Sequence, residues 1–314
     1  MLWVVIGHAA LPELTAYTKE SYICSNISNT LMAWAYSFHM PLFIMISGYL
    51  FYLTRIKKPM GYKAMIIDKA KRLGIPYFTF ITVAFVLKAV STGKANRGVE
   101  MTWDYFLREF LFPFESALQE MWFIAAIFWF FLLSGAYKPM LKKRILLVIV
   151  LIMAIGMNFI RATSITNFLA ISHAIHFFIY FYIGMVIASQ KYEKVLNNKY
   201  TTIISGIIFC ASFSIHNELL TALTSCCLFW GLANFAGRYC SQVFSSFREY
   251  TYQIFLLGIF VQTAIKIIYS HLAIPNTYIV FYILCVLVGI YIPVIISKLT
   301  KRTNNKILKL ILGL

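Results

Sequence analysis

Charge is what this chain has least of. Asp, Glu, Lys and Arg make up 12% of its 314 residues, about half the roughly 25% of a soluble domain. Hydrophobic residues make up 61%, and mean hydropathy is +0.76. Apolar side chains at that density cannot all face one core, which excludes a soluble domain of any size. Period-two alternation is missing as well, which excludes a membrane β-barrel. Cys24, Cys210, Cys226, Cys227, Cys240 and Cys285 show no metal-ligand spacing, and all but Cys24 lie in or beside apolar stretches. That pattern excludes a disulfide framework and leaves them as packing residues. Internal repeats and low-complexity linkers are absent too, so residues 1–314 are expected to form a single integral membrane domain.

What the chain does have is long apolar runs. They lie at about 1–12, 31–54, 74–92, 118–137, 145–160, 171–189, 200–215, 219–236, 251–270 and 276–297, most of them near the ~20 residues that cross a bilayer as a helix. They predict an all-α, polytopic membrane bundle of about ten transmembrane helices. The run at 145–160 is short and draws on its flanks. The first run begins at Met1 with only about a dozen residues, too few to cross. The first helix is therefore expected to be truncated at its N-terminus, since an orphan half-helix leaves polar backbone in lipid. The same run lacks the basic start of a signal peptide.

The few charges alternate. Arg55, Lys57, Lys58, Lys63, Lys69, Lys71 and Arg72 lie between the second and third runs, against Asp68 alone. Lys138, Lys142, Lys143 and Arg144 follow, then Lys191, Lys194 and Lys199, then Arg238 and Arg248, and a tail with Lys298, Lys301, Arg302, Lys306 and Lys309. Together these hold 21 of the 28 Lys and Arg. The other side holds Lys19, Lys94, Arg97, Arg108, Arg161 and Lys266, together with eight of the 11 acidic residues. Lys88 remains inside a run and is expected to snorkel to the outer headgroups. Strict alternation is the positive-inside rule. It places both termini in the cytoplasm of a multi-pass protein of the cell (inner) membrane. The net charge of +17 then reports topology and contact with the lipid bilayer, not nucleic acid.

Ionisable groups at membrane depth are costly, so each is a candidate site. His8 follows Gly7, a residue small enough for close approach. His39 precedes Pro41, whose missing N–H frees a carbonyl one turn earlier. Counted from the outer ends of their runs, the two imidazoles differ in depth by roughly 6 Å at 1.5 Å per residue, so one cavity can hold both. His173 and His176 stand at i, i+3, a spacing that suits a metal. Their run carries no Asp, Glu or Cys to complete a ligand set, so no metal is expected, and pocket lining or plain packing are the readings that stand. Glu120 is either a carboxylate reaching the cavity from its outer edge or an interfacial anchor beside Trp122. Lys69, Lys71 and Arg72 lie just before the third run at the mouth of the bundle. If helical, Lys69 and Arg72 share a face, a fork suited to a phosphate-bearing cytosolic ligand.

These residues resemble acyltransferase family 3, in particular its fucose 4-O-acetylase-like branch. The likeness covers nearly the whole chain and is carried by Val4-Val-Ile-Gly-His8, Lys69-Ala-Lys-Arg-Leu-Gly-Ile-Pro-Tyr77 and Met121-Trp-Phe-Ile. Most specific is Phe38-His-Met-Pro-Leu-Phe-Ile-Met-Ile-Ser-Gly-Tyr-Leu-Phe51. The resemblance implies a ten-helix enzyme that moves an acyl group, usually acetyl, from cytosolic acyl-CoA to a hydroxyl of a cell-surface or secreted glycan. It places the family's essential first-helix histidine on His8, its second-helix histidine on His39 and its basic pair on Lys69 and Arg72. The chain departs from the pattern at three points. The family's basic residue about ten positions before the first histidine would precede Met1. Gly258 stands where a late helix often carries His. Lys69 stands where Arg is common.

Transfer from a thioester to an alcohol needs a base for the hydroxyl proton and support for a tetrahedral oxyanion. His8 is read as that base, with His39 as its orienting partner or oxyanion donor. Lys69, Lys71 and Arg72 are read as holding CoA phosphates, and Glu120, Trp122, His173 and His176 as lining the substrate pocket. Acetyl-CoA, or another acyl-CoA, would enter as donor substrate with no permanently bound cofactor. The acceptor would be a glycan or lipid-linked saccharide. A covalent acyl-enzyme stays open beside direct transfer, although no Ser or Cys stands out as nucleophile. The rival class is an exporter or flippase of a glycan or lipid-linked sugar without acyl transfer. Oligomeric state is left open.

Overall fold

The computed structural model describes residues 1–9, 22–58, 60–90, 99–160, 166–239, 241–272, 274 and 277–314. Cys240, Lys19, Lys94, Arg97 and Arg161 fall outside them. The principal helices are α1 (Leu2–Ala9), α2 (Tyr22–Phe51), α3 (Tyr62–Lys69), α4 (Ile75–Val90), α5 (Trp103–Leu111), α6 (Trp122–Leu132), α7 (Ser134–Lys142) and α8 (Arg144–Asn158). They continue with α9 (Ile171–Gln190), α10 (Lys199–Ser214), α11 (Glu218–Tyr239), α12 (Thr251–Leu272), α13 (Tyr278–Arg302) and α14 (Lys306–Ile311). No strand occurs among the described residues.

The protein is a helical membrane bundle. Among the described residues, six stretches are long and apolar enough to cross a membrane: Asn29–Ile56, Tyr62–Val90, Phe168–Gln190, Glu218–Tyr239, Arg248–Tyr269 and Tyr278–Arg302. The pair α6 and α7, bent by 63°, makes a seventh if it counts as one span. Helices α1, α8 and α10 are shorter. Within the described residues each of the ten apolar runs contains helix, although the run 118–137 is broken at the bend between α6 and α7 and two boundaries move. Helix α2 begins at Tyr22 and not near residue 31, so Cys24 is helical. The basic segment before the third run is itself helical from Tyr62 onward, because Lys, Ala, Met and Leu favour helix.

By contacts the chain divides into two compact units, Met1–Met40 with Asn197–Leu314, and Pro41–Leu196. In the first, α10 packs against α11 and α12 against α13. Both pairs use small residues to bring helices close. A methyl group on Gly231 would sit 1.9 Å from Thr202 Oγ1, and one on Gly258 would sit 3.2 Å from the Gly289 carbonyl oxygen. Gly258 is thus packed closely against α13. Helix α1 lies against α12 and α13. Val5 joins Phe247, Tyr250, Ile254, Ile290 and Val294, while Ala9 joins Tyr269, Tyr278, Phe281 and Cys285. Trp3 meets Trp34, Phe38 and Phe229 edge-on, and Phe38 stacks on Phe229 at 4.2 Å.

In the second unit α9 is the central helix, packed against α6 and α8. It meets the C-terminal half of α2 backbone to backbone. A Cβ on Gly48 would lie 2.0 Å from the Phe181 carbonyl oxygen, and one on Gly184 would lie 2.0 Å from that of Met45. Around this crossing Phe51, Phe130, Phe131, Tyr137 and Phe181 form an aromatic core. The bend between α6 and α7 frees carbonyls, which must find partners away from water. Tyr137 Oη donates to the Phe130 carbonyl at 2.8 Å, and Tyr62 Oη to that of Leu132 at 3.0 Å. The amphipathic helix α5 is capped by Thr102, whose hydroxyl accepts from the Tyr105 N–H. Beside it lies a pocket of about 360 Å³ lined by Lys88, Arg108, Glu109 and Glu115 among others. Lys88 thus shares a cavity with the carboxylates of Glu109 and Glu115.

Candidate functional site

In the first unit, α1 carries His8 in its described stretch Leu2–Ala9, and α2 brings Tyr36 and His39 to it. Gly7 faces Ala35 and Tyr36 at 3.5 Å, so nothing bulky separates the two helices there. Tyr36 Oη lies 3.2 Å from His8 Nδ1. Its ring stands edge-on to both imidazoles, at 5.8 Å from His8 and 4.9 Å from His39. The two histidines are therefore bridged by a phenol bearing a hydroxyl. Because α2 begins earlier than its apolar run, residue counting from helix ends does not fix the relation of the two rings; the shared Tyr36 contacts do.

The hydrogen bonds constrain the tautomers. His39 Nδ1 lies 2.7 Å from the Ala35 carbonyl oxygen. A carbonyl only accepts, so this nitrogen carries the proton and Nε2 of the neutral ring holds the lone pair. His39 is buried, with 4% of its surface exposed, while Tyr36 is 46% exposed. The pair thus has one fixed and one accessible side. Tyr36 escaped the sequence reading, although it stands three residues before His39, where a helix turns the same face.

On the backbone side of His8, Lys266 Nζ donates to the His8 carbonyl. Sequence reading counts Lys266 with the outer-side charges; it lies inside α12 and is 8% exposed. The signal was there, because Lys266 falls within the apolar run 251–270.

In the second unit, Lys69 closes α3, and Lys71 and Arg72 lie on a π-helical turn, Ala70–Gly74. Lys69 Nζ rests 4.9 Å from the centroid of the Phe131 ring, while Lys71 and Arg72 are exposed. The π turn, looser than an α turn, was not foreseen. A second one, Tyr52–Ile56, carries Arg55, and Arg55 pairs with Asp68 at 3.0 Å. Single π turns are frequent at functional sites. Asp68, the lone acid of the basic segment, is thereby paired with Arg55.

The four pocket-lining candidates divide. His173 sits between Phe114 at 4.4 Å and Trp122 at 4.7 Å, and its Nδ1 lies 3.0 Å from Asn167 Oδ1. His176, one turn on, has its carbonyl bonded by Asn158 Nδ2 at 2.9 Å. Glu120 lies half-buried on the 3₁₀ turn Gln119–Met121. Leu169 and Ala170, just before α9, adopt left-handed φ of 47° and 56°. Trp129 Nε1 donates to the Leu169 carbonyl at 3.0 Å, so this strained entry is anchored. Among the described residues, no three or more His, Cys, Asp and Glu gather to hold a metal ion.

No curated protein and no solved structure matches the chain. The family model Acyl_transf_3, an acyltransferase domain, matches residues 1–298. The chain belongs to acyltransferase family 3 and is a membrane acyltransferase.

Proposed function

We propose that this protein transfers an acetyl or other short acyl group from cytosolic acyl-CoA to a hydroxyl of a cell-surface or secreted glycan, in the manner of the fucose 4-O-acetylase-like branch. The observation that carries the reading is the His8–Tyr36–His39 arrangement in a family of acyltransferases. In this reading His8 Nδ1–H donates to Tyr36 Oη, which leaves Nε2 to accept the hydroxyl proton of the acceptor. The hydroxyl oxygen then bonds to the thioester carbonyl carbon. As the tetrahedral intermediate collapses the carbon–sulfur bond breaks, and His8 returns the proton to the leaving CoA sulfur. A histidine base contributes typically 10²–10⁴-fold. His39 acts as orienting partner: its one N–H is spent on Ala35, so the neutral ring has none to offer an oxyanion.

Lys69, Lys71 and Arg72 hold the CoA phosphates in this proposal, the exposed pair Lys71 and Arg72 meeting the ligand first. The protein resides in the cytoplasmic membrane with both termini inside, as the alternating charges require, and its acceptor is a glycan or a lipid-linked saccharide. The test is acetyl transfer in membranes together with the melting temperature in detergent. Acetyl-CoA at 100 times its Kd adds about 2.7 kcal/mol of stability, and His8→Ala abolishes transfer while keeping that stabilisation. No acetyl-CoA stabilisation, with surface glycan acetylation intact in a deletion strain, would refute the proposal and favour an exporter.

A further inference from the structure

We infer that Lys266 is a positioning residue for His8. The inference rests on His8 being the base, and it starts from the backbone of α1. A helix carbonyl keeps a second lone pair that a donor on a neighbouring helix can reach. Here α12 and α13 supply three donors. Gln262 Nε2 donates to the Val5 carbonyl at 2.9 Å, Tyr282 Oη to the Ile6 carbonyl at 3.0 Å, and Lys266 Nζ to the carbonyl of His8 itself. Gln262 and Lys266 are one turn apart on α12, so one helix face grips the turn of α1 that bears His8.

Two of these donors are neutral, which shows that carbonyl capping needs no charge. Lys266 is nonetheless a lysine, buried, on a helix with no other Lys, Arg, Asp or Glu. A buried cation is costly at membrane depth and is a mark of function by default. Its charge makes the bond to the His8 carbonyl stronger than a neutral donor would make it. The imidazole is therefore held from two sides: its ring by Tyr36, its backbone by Lys266. A displacement of about 1 Å at a reacting group costs on the order of 10²-fold in rate, and this clamp restrains that displacement.

The experiment compares the full chain in membranes with Lys266→Arg, Lys266→Gln, Lys266→Met and His8→Ala, reading kcat, KM for acetyl-CoA and melting temperature. Lys266→Met is expected to lower kcat roughly 10- to 100-fold with KM unchanged. Lys266→Arg restores most of kcat, and Lys266→Gln does not. Wild-type kcat in Lys266→Gln overturns the inference, since a neutral cap then suffices. So does a parallel fall of kcat, acetyl-CoA affinity and melting temperature in all three variants, which marks a residue that only holds the fold. Should Lys266→Met fail to accumulate, the contrast between Arg and Gln decides by itself. If His8→Ala is inactive while the Lys266 variants are normal, only the role of Lys266 falls. If His8→Ala is active, the base assignment falls and the clamp with it.

Discussion

The Ser47-Gly48-Tyr49 segment allows a test that needs no substrate. Gly48 meets α9 backbone to backbone: an added methyl would lie 2.0 Å from the Phe181 carbonyl oxygen, 2.8 Å from its carbonyl carbon and 3.0 Å from its Cα. Ordinary C···O contacts begin near ~3.3 Å, so Gly48→Ala must push the two helices apart by over ~1 Å. No flexible side chain stands in the way to absorb the change. Overpacking a core costs about 1–3 kcal/mol, and an encounter with backbone belongs at the upper end, about 3 kcal/mol. At roughly 2–4 °C per kcal/mol for this size, the melting temperature in detergent should fall by about 6–12 °C. Gly156→Ala is the control. It has open space around it and gains helix propensity of up to about 1 kcal/mol. If Gly48→Ala melts with Gly156→Ala, the crossing is not as tight as its geometry states and the explanation of this motif's glycine fails.

Three further outcomes follow from other contacts. Tyr36→Phe removes the hydroxyl beside His8 Nδ1 but keeps the ring edges; losing about 1 kcal/mol of orientation should lower kcat about 5-fold without moving the melting temperature. Tyr137→Phe leaves the Phe130 carbonyl unpaired at the bend of α6 and α7 and should cost about 1–3 kcal/mol, seen as a lower melting temperature. Glu109 gives a pH dependence. Burial raises its carboxyl above the usual 4.5, although the Ala117 N–H and Lys88 pull it back. A carboxyl raised in the folded state contributes stability that is full below about 4.5 and is lost as pH rises through the folded value. Melting curves of wild type and Glu109→Gln should therefore diverge as pH rises from 4 to 7, the wild type losing ground; parallel curves would refute it.

Most of the fold was legible because burial in lipid imposes long apolar runs on the sequence. The same physics hides what was missed. Helix α2 runs out to Tyr22 through Asn, Ser and Thr, residues too polar to register as a membrane run. The π turns at Tyr52–Ile56 and Ala70–Gly74 leave no compositional trace, because a single wider turn uses ordinary residues. Contact between His8 and the second helix was readable as permission from depth alone. The agent of that contact, Tyr36, was not, since one tyrosine among 20 has no distinguishing spacing until its neighbour is known. His173 and His176 stand at i, i+3 on one helix; their further neighbours, Trp122 for one and Asn158 for the other, could not be read from the spacing.

Scarcity of charge makes the exceptions informative. Among the described residues, the Lys, Arg, His, Asp and Glu residues that are buried are His39, Glu109 and Lys266. Each is held by backbone: His39 by the Ala35 carbonyl, Glu109 by the Ala117 N–H, Lys266 by the His8 carbonyl. A polar group spent only on satisfying backbone is replaceable by a neutral donor or acceptor at lower desolvation cost. Selection for packing alone would therefore remove the charge. Two of the three, His39 and Lys266, lie around His8, the base of the proposed transfer, where a developing charge would need fixed dipoles. Among the described residues, the buried ionisable groups thus gather mainly at the site that the proposed chemistry would use.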